Sequence, residues 1–138
     1  MVSISEIMQD NHHECDELFA KAEQAASEQN WLEANTAWQA FTKELESHIT
    51  VKEEGILFPA LEEINGPMGP TQVMRNEHEQ MRMLISQISQ SITDQDSNQF
   101  LGLSETLMML MQQHNMKEEQ ILYPMIENCI PNAHKLLT

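Results

Sequence analysis

Two stretches of this chain pair histidine with glutamate in a way that suits metal chemistry: HITVKEEGILFPAL at residues 48–61 and HNMKEEQILYPMI at residues 114–126. Imidazole nitrogens and carboxylate oxygens bind first-row transition-metal ions. Glu118 stands four residues after His114, so on a helix both side chains reach one point from adjacent turns. Glu53 stands five residues after His48, with Lys52 in the fourth place. The EExILFP and EExILYP blocks are offset by 65 residues while the two histidines are offset by 66, so one extra residue lies between His48 and Glu53. A single insertion in a helix is commonly absorbed as a wide π-type turn. Such a turn is expected within residues 48–54, rotating Glu53 inward and keeping Lys52 outside. A regular helix there would remove Glu53 from the candidates.

Two further histidines repeat the theme, because His12 and His78 are also 66 residues apart. Each of the four lies on an apolar seam of helical period. The seams read Ile4, Met8, His12, Cys15, Phe19, Ala22; then Trp38, Phe41, Leu45, His48; then Met74, His78, Met81, Ile85, Ile88, Ile92; and finally Leu103, Leu107, Met111, His114, Glu118, Ile121, Met125. Beyond Glu53 the second seam is expected to resume through Leu57, Ala60 and Ile64. A lone histidine on such a face is most simply a core residue with a satisfied hydrogen bond. Four unpartnered buried imidazoles would cost several kcal/mol together, a cost that a metal centre removes. Inward glutamates point the same way, since buried Glu is rare unless paired or metal-bound. Mixed histidine and carboxylate donors in a helix bundle suit two iron or manganese ions. Structural zinc would favour cysteine, and haem would need no inward glutamate.

The elements that must position these residues are helices. Four are expected, at about residues 3–28, 31–64, 70–92 and 97–129, with turns at NGPMGP (65–70) and TDQDSN (93–98) and a short tail, PNAHKLLT. Long helices with short connections imply an all-α, up-down-up-down four-helix bundle, built from two similar helical hairpins. The 138 residues suit a single domain over 1–138. Pro59 and Pro124 would either kink their helices or mark helix ends.

A formal charge of −15 disfavours nucleic acid and anionic membrane as partners, and fits a bound cationic cluster as well as plain solubility. The start, MVSISEIMQD, lacks the basic and apolar regions of a signal peptide, and no apolar run is long enough to span a membrane. Cys15 and Cys129 form no CxxC pair, so a cytoplasmic protein with reduced thiols is expected, with Cys15 as core. The 11 methionines are mostly flexible core filler. Met74, Met81 and Met111 fall where they would shape an apolar pocket for a diatomic ligand. Tyr123 and Glu77 are candidates for extra ligands or for donors behind the ligands.

The chain resembles the hemerythrin-like, or HHE cation-binding, family. The resemblance covers nearly its whole length and rests on NHHECDELF, HITVKEEGILFPAL, NEHEQM and HNMKEEQILYPMI in this order and spacing. It implies a four-helix bundle holding two non-haem irons bridged by two carboxylates and an oxo or hydroxo group. By position, the implied metal ligands are His12, His48, Glu53, His78, His114 and Glu118, with Glu53 and Glu118 bridging. Oxygen-carrying members have a second histidine one turn before the position of His78, where this chain has Met74. A thioether is a poor ligand for a hard ferric ion, so the implied set is four histidines and two glutamates. That set, with MGPTQVMRNEH at residues 68–78, looks like the metal domain of the iron–sulfur cluster repair di-iron proteins, without their additional cysteine-containing domain.

The functional expectation is a non-haem di-iron protein that binds or reacts with O2, NO or peroxide inside the bundle. Manganese or zinc remains an alternative metal. The competing roles are oxygen carriage or sensing without turnover, iron storage or donation for iron–sulfur cluster repair, and a metal-free helical interaction module.

Overall fold

The computed structural model describes residues 3–65 and 69–138. Four long helices account for nearly all of them: α1 (Ile4–Ser27), α2 (31–65), α3 (Gly69–Thr93) and α4 (97–129), followed by a 3₁₀ turn at Ala133–Leu137. Among the described residues there is no strand. Helix α1 packs on α2 and α4, and α3 packs on the same two, giving the four-helix bundle. Residues 66–68 of the expected NGPMGP turn lie outside the described residues, and Pro70 stands at the second position of α3.

Local chemistry sets the helix ends. The side chains of Ser3, Asn30 and Asp96 accept the backbone N–H of Glu6, Glu33 and Gln99 at 3.1, 3.3 and 3.0 Å, which satisfies amides the first helical turn leaves open. The two hairpin connections match residue for residue. Gln29 and Gln95 take left-handed backbone at φ 59° and 53°. The following N–H groups, of Asn30 and Asp96, reach back to Ala25 and Ser91 carbonyls at 2.9 Å. These are Schellman closures made without glycine, and they hold each hairpin tight.

The wide turn expected in α2 is present and longer than the expected span, running over Ser47–Leu57. Helix α4 has a second one, Glu118–Leu122, which the sequence pattern did not announce. Each ends on the same contact, since Phe58 N–H donates to the Glu53 carbonyl and Tyr123 N–H to the Glu118 carbonyl, five residues back in both cases. Pro59 and Pro124 follow at once and end neither helix. A proline ring collides with the carbonyl four residues earlier and offers no N–H; a widened turn before it moves that carbonyl aside.

These turns also correct two seams. Ile121, expected inside, is 55% exposed, and Leu122 takes its place in the core. Ile64 is likewise exposed and Ala60 only half-buried, while Phe58 and Leu61 face inward. The apolar core is thereby divided. One cluster, around Phe19, Trp38, Phe41, Phe100 and Leu107, fills the hairpin-turn end. The other, around Met8, Leu57, Phe58, Met74, Leu122 and Ile126, fills the opposite end. Burying each large side chain is worth about 1.5–3 kcal/mol. Between the two clusters runs a belt of polar residues.

Candidate metal centre

The belt holds all six residues singled out by the sequence. His12 comes from α1, His48 and Glu53 from α2, His78 from α3, and His114 and Glu118 from α4. All are buried; Glu53, His78 and Glu118 are 0% exposed. His13, one residue from His12, is exposed, and Lys52 is half-buried, its ammonium donating to Asn11 Oδ1 at 2.6 Å rather than entering the donor groups.

Their donor atoms fall into two groups that could each hold an ion: Glu53, His78, His114 and Glu118 in one, and His12, His48 and Glu118 in the other. Glu118 belongs to both. Glu53 also faces both halves, with Oε1 2.9 Å from His78 Nε2 and Oε2 3.5 Å from His48 Nε2. The chemistry of the contacts fits a cation. Glu53 Oε1, Glu118 Oε2, His78 Nε2 and His114 Nε2 are buried without a hydrogen-bond partner. His78 Nε2 and Glu53 Oε1 are close enough to bond and do not, as expected of lone pairs aimed at a shared point rather than at one another. Orphaned polar atoms of this kind each cost about 1–3 kcal/mol unless something pairs with them.

Every histidine turns Nε2 inward and is held from behind through Nδ1. His12 Nδ1 donates to Glu119 at 2.7 Å, His78 Nδ1 to Glu54 at 2.7 Å, His114 Nδ1 to Glu77 at 2.8 Å and His48 Nδ1 to Asn11 Oδ1 at 3.2 Å. A carboxylate or an amide oxygen can only accept, so these contacts fix a proton on Nδ1 and make Nε2 the nitrogen that a metal ion would take on displacing any proton there. Of these holders only Glu77 was marked by the sequence. Glu54, Glu119 and Asn11 were missed, though the doubled glutamate of each EExIL block is a usable signal. The first glutamate turns inward, and the second reaches a histidine of the other hairpin.

The electrostatics describe a site that waits for positive charge. Burial works to lower the His114 pKa, but Glu118, Glu53 and Glu77 outweigh it and hold it at about 9. His12 is raised in the same way, against burial, by Glu118, Glu119 and Glu53. Burial pushes the Glu53 carboxyl up, yet His48, Glu118 and His78 bring it well below the ordinary carboxylate range. Burial also drives the Cys15 thiol up to about 12, and its side chain belongs to the apolar cluster rather than to either donor group.

Tyr123 also enters the belt, fully buried. Its oxygen lies 2.6 Å from Glu53 Oε2 and 3.0 Å from Glu118 Oε1. Burial, with Glu118 and Glu53, pushes the phenol pKa well above its usual value.

A four-helix bundle that directs four imidazoles and two shared carboxylates into a buried belt defines a metal-binding helical protein. Residues 3–126 match the family model of the hemerythrin HHE cation binding domain. The chain belongs to that family. No curated protein and no solved structure matches it.

Proposed function

We propose that this is a non-haem di-iron protein that binds or reacts with a small ligand, O2, NO or peroxide, at a carboxylate-bridged centre inside the bundle. The observation that carries the reading is that Glu118 belongs to two donor groups at once while Glu53 turns one oxygen to each. Two ions with shared carboxylates use all six inward residues, whereas one ion in the larger group would leave His12 and His48 without a part in it. Nitrogen and oxygen donors without thiolate suit iron or manganese. Held by these residues, two irons would supply reversible electron transfer and open positions for an incoming ligand.

The remaining roles belong to the chain itself. Glu119, Glu54, Glu77 and Asn11 keep the ring protons on Nδ1, so that each Nε2 stays available. The apolar clusters on either side exclude water from the belt. A pocket of about 250 Å³ between α3 and α4 is lined by Pro70, Val73, Met74, Lys117, Ile121 and Leu122; Met74 lies one helical turn before His78, and Leu122 precedes Tyr123. Its almost wholly apolar wall suits a diatomic molecule better than an ionic substrate.

Metal analysis of protein purified without chelator, with its visible spectrum, tests the reading. Two irons per chain with bridged-ferric charge-transfer bands are expected. A reversible spectral change of the reduced protein under O2 would assign carriage or sensing, and rapid oxidation would assign reactivity. Transfer of the iron to an apo-cluster protein would assign donation. A stable fold that takes up no metal overturns the proposal.

A further inference from the structure

The internal repeat makes the two halves of the centre nearly equivalent, and one position breaks the equivalence in the middle of the site. Phe58 and Tyr123 are the aromatic residues of the two EExIL blocks, 65 residues apart. Each crosses to the other hairpin's histidine. Phe58 stacks on His78 with ring centroids 5.8 Å apart and planes 11° apart, and Tyr123 lies against His12 at 5.9 Å. Phe58 brings no polar atom to the His78 and His114 half. Tyr123 brings a hydroxyl to the His12 and His48 half.

The position of that oxygen is specific. His12 Nε2 lies 3.1 Å from His48 Nε2 and 3.3 Å from Glu118 Oε1, and His48 Nε2 lies 3.5 Å from Glu53 Oε2. The Tyr123 oxygen caps these four atoms at 3.2, 3.4, 3.0 and 2.6 Å, in the order His12, His48, Glu118, Glu53. Five candidate donor atoms thus cluster together, with the phenol oxygen within 3.4 Å of the other four. Neighbouring ligands of a six-coordinate ion with bonds of ~2.1 Å stand about 3.0 Å apart, and the contacts here run from 2.6 to 3.5 Å around that value.

Hydrogen bonding alone does not account for the arrangement. A phenol has one proton, which can serve one of the four atoms, and the bond to Glu53 at 2.6 Å takes it. The Nε2 lone pairs of His12 and His48 would then face the phenol oxygen, Glu118 and each other with nothing between them.

We propose that Tyr123 supplies its oxygen as a ligand to the metal ion held by His12 and His48, so that the two ions of the centre are unequal. This rests on the two-metal reading above. The step is an exchange without electron transfer: the phenol O–H bond breaks, the metal–oxygen bond forms and the proton leaves to solvent. A hard trivalent ion such as ferric iron is the class that an anionic oxygen favours. The half with Phe58 then keeps the open position for the incoming small ligand.

The chain contains a single tyrosine, so any tyrosinate signal belongs to Tyr123. The test is resonance Raman spectroscopy of the ferric, full-length protein, grown with ordinary or ring-deuterated tyrosine and assayed for iron. Phenolate ring modes that shift on deuteration are expected, together with a visible phenolate-to-iron band. Tyr123→Phe should keep its iron and lose both signals; Phe at the matching position, Phe58, indicates that the fold accommodates the change. Two irons per chain with no tyrosinate mode in the wild-type protein would overturn the proposal and leave the metal reading standing. A protein that takes up no metal would overturn both.

Discussion

Glu119 holds Nδ1 of His12 at 2.7 Å across 107 residues of sequence, and Glu54 of the first hairpin does the same for His78 of the second. Each hairpin therefore sets the tautomer of a histidine in the other, and the two halves of the belt are assembled only when the hairpins pack. Groups that orient a ligand from behind typically change metal affinity by roughly 10–100-fold when removed. Glu54→Ala and Glu119→Ala should each weaken iron binding by a factor in that range. Both should keep two irons per chain at saturation, as competition with a chelator would show.

Removing an inward donor should act on stoichiometry instead. His114→Ala and Glu118→Ala are expected to lower metal content sharply, because Glu118 faces both groups and His114 closes one of them. His13→Ala and His134→Ala should leave the content intact, since neither belongs to a donor group. Loss of metal from the His13 variant would overturn the assignment on α1.

Arg82 braces the holder rather than the ligand. It donates to Glu54 at 2.9 Å and to Thr50 Oγ1 at 2.9 Å, inside the wide turn of α2, and also pairs with Glu79. It is partly exposed, so its ion pairs are individually worth ~1 kcal/mol or less. Arg82→Ala should weaken iron binding less than Glu54→Ala does. The double variant should add little to Glu54→Ala alone, because both act through one contact.

The metal-stripped protein should respond to pH through His114. Its pKa in the fold, about 9, stands above the usual value of about 6.5. A group raised in the folded state contributes stability that is complete below the unfolded pKa and is lost as pH rises through the folded one. The Tm of stripped protein should therefore fall between about pH 6.5 and 9, with His12 acting in the same direction. Iron-loaded protein should show little change in that window. Its metal uptake should release protons and strengthen with pH, which calorimetry in buffers of differing ionisation heat would detect.

Both hairpins, all four inward histidines and Glu118 could be read from the sequence, because a helical seam is a local pattern of period 3.6 and these residues obey it. Glu53 could be read only through the one-residue mismatch between two repeats, which forced a wide turn. The second wide turn, at Glu118–Leu122, escaped because the spacing of His114 to Glu118 is regular and the break falls after it. Expecting Ile121 inside followed directly from that omission. The metal-family resemblance carried the ligand set further than periodicity could, while iron as the metal and the reacting ligand rest on the proposal above.

The sequence by itself determined that four amphipathic helices would form and that each would turn a histidine inward, since backbone periodicity fixes which side chains share a face. The tertiary structure alone decided which residues stand behind those histidines and what caps them. Glu54, Glu119 and Tyr123 each reach a residue of the other hairpin. Such contacts depend on the relative height and rotation of packed helices, which no spacing within one helix encodes.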